Sequence, residues 1–413
     1  MSGSHIETRK LEIREGADVI VVGGGPGGVV AALAAARHGM KVLIIEKNII
    51  LGGLATAGHV CLFEPLCDGK GRKVTSGIVE EMLHLSIAYS YNNLPRHWSR
   101  HVERVKNPEQ DPDYEPERYI NVAGRYLTLF NVPAFALALE ECVLKAGVEI
   151  LYDTLFCDTI MKGDVCTGVI VENLTGRYAL SCKMVIDGTG YSTVFARLGA
   201  ELIDGKNHFT FECYDTNFKM MQKALQTGKM IKAINWCVLG WNPLHSDPGE
   251  ATDFYGRTGE DINRYVLVSH REALAYLKKQ GPDYAMLALP TMPQLRMNRR
   301  IKGLYEMRPD DVFKPMEDSI GCVSDWRRAG PIYEVPYRCM LDKSAKNVLA
   351  VGRNLAAQTD SWDIMRCYPG CMTTGQGAGT AAALALKNGV SVHELKISEL
   401  QNALKKDGVI LHQ

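Results

Sequence analysis

The chain of 413 residues lacks an excess of charge of either sign, since Lys plus Arg and Asp plus Glu both total 47. No run of basic residues offsets this balance, which disfavours a nucleic-acid-binding surface. No uninterrupted run of about 18 apolar residues occurs, so a membrane-spanning helix is not expected. The polar start MSGSHIETRKLEIREGAD has no apolar core of the kind a signal peptide needs, and we expect a cytoplasmic protein.

The sequence also lacks any C-x-x-C pair, although it contains 12 cysteines. The closest pairs, Cys61/Cys67 and Cys367/Cys371, do not have the spacing of a zinc knuckle, and the chain is too long for a disulfide-stapled scaffold. The 11 histidines are dispersed. We therefore expect reduced, mostly buried cysteines and no metal site.

What is present is a glycine-rich turn between two apolar runs, VIVVGGGPGGVVAALAAARHGMKVLIIEK at 19–47. Residues 18–22 are typical of a buried parallel strand. Gly23, Gly25 and Gly28 form G-x-G-x-x-G, in which the first glycine allows the turn, the second admits a pyrophosphate and the third allows close helix packing. A helix from 28 to 38 then directs its N-terminal amides at the phosphates.

The second apolar run, KVLIIE, ends on Glu46, which is suited to accept hydrogen bonds from an adenosine ribose. A carboxylate there repels a 2′-phosphate, so NADP is disfavoured. The motif alone does not separate NAD from FAD. The segment GGLATAG at 52–58 provides a second close approach of backbone to ligand, which an extended cofactor needs, and therefore favours FAD.

The remaining pattern predicts an α/β fold. A helix and strand at 130–154 precede three alternating segments, LFCDTIMKG, CTGVIVEN and GRYALSCKMVI, that indicate a small antiparallel meander ending in VIDGTG. A buried strand at 347–354 precedes PGCMTTGQGAGTAAALALKNG, which we interpret as a glycine-rich turn opening a long helix. Between them, HFTFECYD and VLVSH suggest strands and REALAYLKKQ a helix.

These elements predict a discontinuous Rossmann-like FAD-binding domain at 17–91, 129–200 and 331–413, consisting of a parallel sheet, helices and the meander. An inserted α+β substrate or cap domain is predicted at 201–330. Residues 1–16 are an N-terminal extension, and 92–128 a long loop or lid. No second strand-G-x-G-x-x-G-helix-acid unit occurs, which disfavours a dedicated NAD(P)H domain.

The sequence resembles FAD-binding flavoproteins of the glutathione-reductase-type fold in its first glycine segment, GGLATAG, VIDGTG and the terminal glycine segment. More narrowly, it resembles the FAD-dependent oxidoreductase family, related in its FAD domain to fumarate reductase flavoproteins. This narrower resemblance lies in SGIVEEML, RMNRRIKGLYEM, IYEVPYRCMLDKSAKNVLAVGRNLAA and MRCYPGCMTTGQGAGTAAALAL.

The resemblance implies that one set of residues follows FAD from its adenine to its isoalloxazine end. Phe156 would present its backbone to the adenine, and Thr374, Gly375 and Gln376 would aim a helix N-terminus at the flavin N1/C2 edge. The whole set consists of Gly23, Gly25, Pro26, Gly27, Gly28, Glu46, Lys47, Gly52, Gly53, Leu54, Ala55, Thr56, Phe156, Asp187, Gly188, Thr189, Gly190, Gly352, Arg353, Thr374, Gly375 and Gln376.

The chain departs from some relatives of this fold. Disulfide reductases place C-x4-C directly after the glycine pair, whereas Cys61 and Cys67 form C-x5-C further along, so that activity is disfavoured. Non-covalent FAD is favoured, with covalent attachment through His59 or Cys61 left open.

The predicted activity is oxidation or reduction of a small molecule at a carbon centre by hydride transfer to or from flavin N5. Arg366 is the first candidate for holding the substrate, with Arg299 and Arg300 as further cations; a structural ion pair is the alternative for each. His59 is a candidate acid or base, or a structural histidine. The alternative function is an electron-transfer subunit or a structural FAD-binding protein. Substrate, acceptor and oligomeric state stay open.

Overall fold

The computed structural model describes residues 6–89, 128–240 and 254–413. The predicted lid at 92–128 lies outside these ranges except for its last residue. The strands are β1 (Ile13–Val22), β2 (Val42–Ile45), β3 (Leu62–Phe63), β4 (Thr128–Leu129), β5 (Glu149–Leu151), β6 (Leu155–Lys162), β7 (Val165–Asn173), β8 (Gly176–Asp187), β9 (Leu202–Asp204), β10 (Thr210–Asn217), β11 (Asn235–Gly240), β12 (Tyr284–Ala288), β13 (Arg299–Ile301), β14 (Ser319–Ser324), β15 (Ile332–Pro336) and β16 (Val348–Ala350). The α-helices are α1 (Pro26–Arg37), α2 (Ile78–Ala88), α3 (Val132–Lys145), α4 (Thr193–Arg197), α5 (Phe218–Thr227), α6 (Gly259–Leu277), α7 (Thr359–Met365), α8 (Tyr368–Asn388) and α9 (Ile397–Lys406).

A parallel sheet in the order β5–β2–β1–β8–β16 forms the centre of the fold. All four residues of β2 and the last four of β1 are buried, as their continuous apolar sequence predicts. β1 begins at Ile13, inside the predicted N-terminal extension, because its first residues pair with Ala179 and Leu180 of β8. The α/β class and the parallel sheet are therefore confirmed.

The predicted meander is also confirmed, and its third strand has two roles. β6, β7 and β8 pair in antiparallel order. The first half of β8 completes this meander, and its last residues, Val185 to Asp187, pair in parallel with β1 and β16. One strand of 12 residues thus joins the two parts of the sheet and ends at the site described below.

Helix α8 packs along α1 through small residues. A Cβ on Gly375 would lie 2.3 Å from the carbonyl oxygen of Gly27, and one on Gly379 would lie 2.2 Å from that of Ala31. Close approach of the two backbones therefore depends on glycine at both positions. The interpretation of this glycine-rich segment as a turn is wrong, because the helix already begins at Tyr368 with Pro369 in its first turn, where proline is tolerated.

The insertion after residue 201 contributes a separate antiparallel sheet in the order β11–β10–β12, with α6 packed on one face through Ala273. The strand predicted for VLVSH is wrong, because residues 266–270 lie within α6. Thr258 caps this helix by accepting from the Asp261 amide at 3.2 Å, and the helix continues for 19 residues. The N-terminal cap and the length of the helix stabilise the helical conformation by more than the preference of two valines for strands opposes it. The domain boundaries themselves stay predictions.

Helices long and apolar enough to cross a membrane do not occur at 6–89, 128–240 or 254–413.

Candidate active site

A single cleft lies where the parallel strands end. It has a volume of about 270 Å³ and is lined by Val22 at the end of β1, Ile45 at the end of β2, Gly188 after β8 and Val351 after β16. The carboxyl ends of parallel strands are where open α/β sheets bind their ligands, because loops and helix N-termini converge there. This cleft is therefore the candidate site.

Most of the residues predicted to hold the cofactor lie in the wall of this cleft. The predicted residues that line it are Gly23, Gly25, Pro26, Gly27, Glu46, Lys47, Gly53, Leu54, Phe156, Gly188, Thr189, Gly190, Gly352 and Arg353, with Arg366 from the catalytic candidates. The predicted residues that do not line it are Gly28, Gly52, Ala55, Thr56, Asp187, Thr374, Gly375 and Gln376, together with His59 and Arg300. The second group supports the wall from behind, as the following contacts show.

The glycines of the first turn differ in their surroundings. Gly23 and Gly28 pack tightly against backbone, whereas Gly25 faces open space. Gly23 adopts φ +97°, a left-handed conformation that favours glycine, and a Cβ there would lie 2.7 Å from the Gly188 carbonyl oxygen. A Cβ on Gly28 would lie 2.0 Å from the Gly23 carbonyl oxygen. At Gly25, by contrast, the nearest atom to such a Cβ is 3.7 Å away. The open space at Gly25 fits a phosphate that approaches the backbone.

Glu46 is buried at the end of β2, and its carboxylate already has protein partners. It accepts from the Gly24 amide at 2.7 Å and from both the amide and the side-chain nitrogen of Asn48 at 2.8 Å. Three acceptor positions of about four are thus used within the turn. Glu46 therefore orders the glycine loop, and the predicted ribose contact stays a prediction that relies on its remaining acceptor capacity.

Asp187 is completely buried behind the second glycine turn. Its carboxylate accepts from the amide and hydroxyl of Thr189 at 3.0 and 2.6 Å, from Asn354 Nδ2 at 2.9 Å and from the Val194 amide at 2.9 Å. Burial raises the pKa of this carboxyl, against the lowering effect of its hydrogen bonds to Thr189. Asp187 thereby fixes the turn that presents Gly188 and Gly190 to the cleft.

Two cations face the cleft without an acidic partner among the described residues. Lys47 and Arg353 lie on the Tyr191 ring, at 5.3 and 5.4 Å from its centroid. Arg353 is buried, donates to the Leu295 carbonyl oxygen and has its pKa lowered by burial. The Tyr191 hydroxyl is buried without a hydrogen-bond partner. Uncompensated cations and an unsatisfied hydroxyl beside an open glycine loop fit the diphosphate of FAD.

The N-terminus of α8 closes the other end of the cleft through Tyr368 and Cys371. The Tyr368 amide donates to Glu64 Oε2 at 3.1 Å. The predicted helix dipole is thus supplied six residues earlier than Thr374, which lies inside the helix with its hydroxyl accepting from the Gly352 amide at 2.9 Å. Gln376 is also inside the helix, where its Oε1 accepts from the Ile78 amide at 2.9 Å.

The candidate cations differ in position. Arg366 lines the cleft and forms an ion pair with Asp363, with its Nε 2.8 Å from Oδ1. Arg300 is buried away from the lining, 3.3 Å from Glu306 Oε2, and burial lowers its pKa. Arg300 thus forms a structural ion pair, which was the alternative to a role in holding the substrate.

His59 lies behind the cleft with φ +55°. Its ring centroid is 5.3 Å from that of Tyr214, its Nδ1 is buried without a partner, and burial lowers its pKa. This environment favours a neutral imidazole.

Cys61 and Cys67, the two cysteines near the first glycine turn, are both buried and form no disulfide. Burial raises the pKa of the Cys61 thiol to about 12. A thiol with that pKa is a poor nucleophile at neutral pH, which agrees with the prediction against disulfide-reductase chemistry.

Sequence reasoning missed four polar side chains near the cleft: Tyr191, Glu212, Trp236 and Arg296. Arg296 pairs with Glu212, and both lie in the insertion. Tyr191 directly follows VIDGTG and could have been inferred from that motif. No short motif marks the other three residues, because the register of β10 and β11 and the contact of Gln294 with Gly58 determine where they lie.

Comparison with known proteins gives a match to the model of the "FAD dependent oxidoreductase" family over residues 18–221 and 204–404. Dihydrolipoyl dehydrogenase 2 of Arabidopsis thaliana is 27% identical over 203 residues, which cover 45% of this chain and 39% of that protein. The thiamine thiazole synthase of Aeropyrum pernix is 29% identical over 195 residues, covering 45% of this chain and 58% of that protein. The chain thus spans about two fifths to three fifths of these relatives.

Among solved structures, a geranylgeranyl bacteriochlorophyll reductase-like protein from Thermoplasma acidophilum aligns with 14% identity and a TM-score of 0.45, covering 95% of this chain and 84% of that one. The p-nitrophenol 4-monooxygenase of Pseudomonas putida aligns with 16% identity and a TM-score of 0.46, covering 96% and 89%. The family match covers most of the chain, and the cleft fits the cofactor that the family shares. The chain belongs to the FAD-dependent oxidoreductase family, and its cofactor is FAD.

Proposed function

We propose that this oxidoreductase transfers a hydride between the carbon centre of a small molecule and non-covalently held FAD. One observation carries the proposal. A single cleft extends from the predicted adenine side at Phe156 and Glu46, past two cations, to the polar end at Arg366, Tyr368 and Cys371. The cofactor and the position of a reacting substrate are thus connected within one space.

When bound, FAD supplies hydride acceptance or donation at its N5 atom. The chain holds it through the open loop at Gly25, and Lys47 and Arg353 neutralise the diphosphate charge. The amides at the N-terminus of α8 stabilise negative charge at the opposite end of the cleft. These roles need no residue movement, because the loop and the helix are already in position.

Arg366 is proposed to hold a carbonyl oxygen of the substrate at the polar end. Its guanidinium contacts Asp363 and lies 5.9 Å from the Trp326 ring centroid, so its position is fixed by two neighbours. His59 is proposed to accept or return a proton, since burial lowers its pKa and its Nδ1 lacks a partner.

The test begins with the purified protein, which we expect to be yellow and to release FAD on denaturation. Anaerobic addition of a panel of alcohols, acids, amines and unsaturated carbonyl compounds should then bleach the flavin with at least one of them. A colourless protein that cannot be reconstituted with FAD contradicts the proposal. Bleaching by a partner protein alone would favour an electron-transfer subunit instead.

The role of Arg366 is tested with Arg366→Lys, which keeps the charge but loses the planar donor fork. We expect normal FAD content and at least a tenfold slower reduction by the active compound. The control is Arg338→Lys, which alters a comparable ion pair with Asp318 outside the residues that line the cleft. Unchanged reduction kinetics in Arg366→Lys would contradict a substrate-holding role.

A further inference from the structure

A cluster of polar side chains covers one face of the insertion sheet. Glu212 and Tyr214 are two residues apart on β10, so they project to the same face. Trp236 of β11 is directly opposite Tyr214 in the antiparallel register. His59 stacks at a tilt on Tyr214 from the loop that follows the glycine turn, and Arg296 pairs with Glu212. These five residues are called the Glu212 cluster.

The Glu212 cluster contains more hydrogen-bonding capacity than the protein uses. Glu212 is 4% exposed, and its Oε2 has no hydrogen-bond partner. Trp236 Nε1 and His59 Nδ1 are buried and make no hydrogen bond of ordinary geometry, although Trp236 faces Glu212 closely enough to lower the pKa of its carboxyl. A buried polar atom without a well-formed hydrogen bond is costly, so three in one cluster indicate hydrogen-bonding capacity that another molecule can use.

None of the five residues lines the cleft itself, but the cluster is tied to the loop whose Gly53 and Leu54 do. Gln294 Nε2 donates to the carbonyl oxygens of Gly58 at 2.7 Å and Glu212 at 2.8 Å, which ties β10 to the loop carrying His59. Burial raises the pKa of the Glu212 carboxyl, and Arg296 and then Arg366 oppose this rise. Burial, Glu64 and then Glu212 raise the pKa of the Tyr368 hydroxyl. Arg366 and Tyr368 both line the cleft. The unsatisfied atoms therefore lie near the polar end of the cleft.

The charges around that end balance one another. Arg296 pairs with Glu212 and Arg366 pairs with Asp363, so each of these two cations has an acidic partner. An anionic or cationic substrate would therefore meet no net attraction there. Glu212 Oε2 accepts, Trp236 Nε1 donates, and His59 Nδ1 does either according to its tautomer. A hydroxyl group, which donates and accepts at once, satisfies this combination.

We propose that the Glu212 cluster is the substrate-recognition site and that it takes a neutral molecule bearing hydroxyl groups. A substrate hydroxyl donates to Glu212 Oε2 and accepts from Trp236 Nε1. His59, Tyr214 and Trp236 are only half-buried, so part of each side chain is accessible from outside the cluster. This inference rests on the proposed function and gives it a substrate class.

The test uses the FAD-loaded protein and matched probe pairs: D-glucose and D-gluconate, cyclohexanol and cyclohexanecarboxylate, benzyl alcohol and benzoate. Binding is measured as a saturable change in the flavin absorbance spectrum. We expect the alcohols to bind more tightly than their carboxylate partners. Glu212→Gln and Trp236→Phe should each weaken alcohol binding by about tenfold to a hundredfold, because each removes one hydrogen bond made by a buried group.

The control is Glu201→Gln, which removes an exposed carboxylate paired with Lys302 and should leave alcohol binding unchanged. Tighter binding of the carboxylates, no response to any alcohol, or wild-type alcohol binding in both cluster variants overturns the inference. Flavin content separates the two proposals. A wild-type protein that fails to hold FAD contradicts the proposed function, whereas a yellow protein with any of these three results contradicts only the substrate class.

Discussion

Replacing Gly25 by alanine should separate cofactor binding from folding. Gly25 precedes α1 with φ −69° and ψ 179°, a conformation open to any residue, and the nearest atom to an added Cβ is the Gly188 carbonyl oxygen at 3.7 Å. The free energy of unfolding of the apoprotein should therefore stay the same or increase by about 0.4–1 kcal/mol, because alanine restricts the unfolded chain.

The same methyl group occupies space where the cofactor phosphates approach the loop. Overfilling a packed contact by one carbon costs about 1–3 kcal/mol, which corresponds to about fivefold to 150-fold weaker FAD binding. Gly25→Val should extend this effect. The assay is titration of apoprotein with FAD, followed by flavin fluorescence, together with thermal unfolding of the apoprotein.

Two further variants define the outcome. Gly28→Ala brings a Cβ within 2.0 Å of the Gly23 carbonyl oxygen, so it should lower the unfolding temperature of the apoprotein itself. Gly259→Ala has no atom within 4 Å of the added carbon, so it should leave FAD binding unchanged and keep or slightly raise the free energy of unfolding. If Gly25→Ala binds FAD as tightly as the wild type, the phosphate-loop interpretation is refuted.

Three further predictions concern residues around the cleft. Burial lowers the folded-state pKa of His59 below its unfolded value, so its contribution to stability is present above about pH 6.5 and is lost as the pH falls. The variant His59→Asn, whose asparagine tolerates φ +55°, should therefore lose less unfolding temperature than the wild type between about pH 7 and pH 5. Identical pH profiles of the two proteins would contradict this. Cys61, with a pKa of about 12, should resist iodoacetamide at about pH 8 until the protein is denatured, as peptide mass spectrometry can check, and rapid native labelling would contradict its burial. Glu46→Gln leaves one of the Gly24 and Asn48 donors facing the NH2 group of the glutamine. It should lower the free energy of unfolding of the apoprotein by about 1–3 kcal/mol and weaken FAD binding. Unchanged unfolding and FAD-titration curves would contradict this.

The local elements were predictable because their signals lie within short segments. The strand–glycine turn–helix–strand unit at the first glycine motif and the meander each follow from hydrophobic period and turn residues that are adjacent in the chain. The cofactor also follows from the sequence, since glycines recur wherever backbone must approach an extended ligand or another backbone.

The secondary-structure predictions were wrong at two segments whose residue types are compatible with two different structures. Glycine in PGCMTTGQGAG indicates a turn or a close helix contact, and only the approach of Gly375 to Gly27 in the folded chain selects the second. The valines in VLVSH favour a strand locally, but the cap at Thr258 and packing against the insertion sheet select a helix. Local propensity is weak compared with burial of a whole helical face.

The sequence by itself determined the nucleotide-binding unit, because its strand, glycine turn, helix and acid are adjacent in the chain, and it identified the cofactor through the further glycine segments and the family resemblance. The tertiary structure alone decided that Asp187 supports the second turn from behind, that Arg300 pairs with Glu306, and that Glu212 pairs with Arg296. These pairings join residues whose separation along the chain carries no periodic signal. Their contact depends on which faces of the insertion sheet and the FAD-binding core are buried against each other.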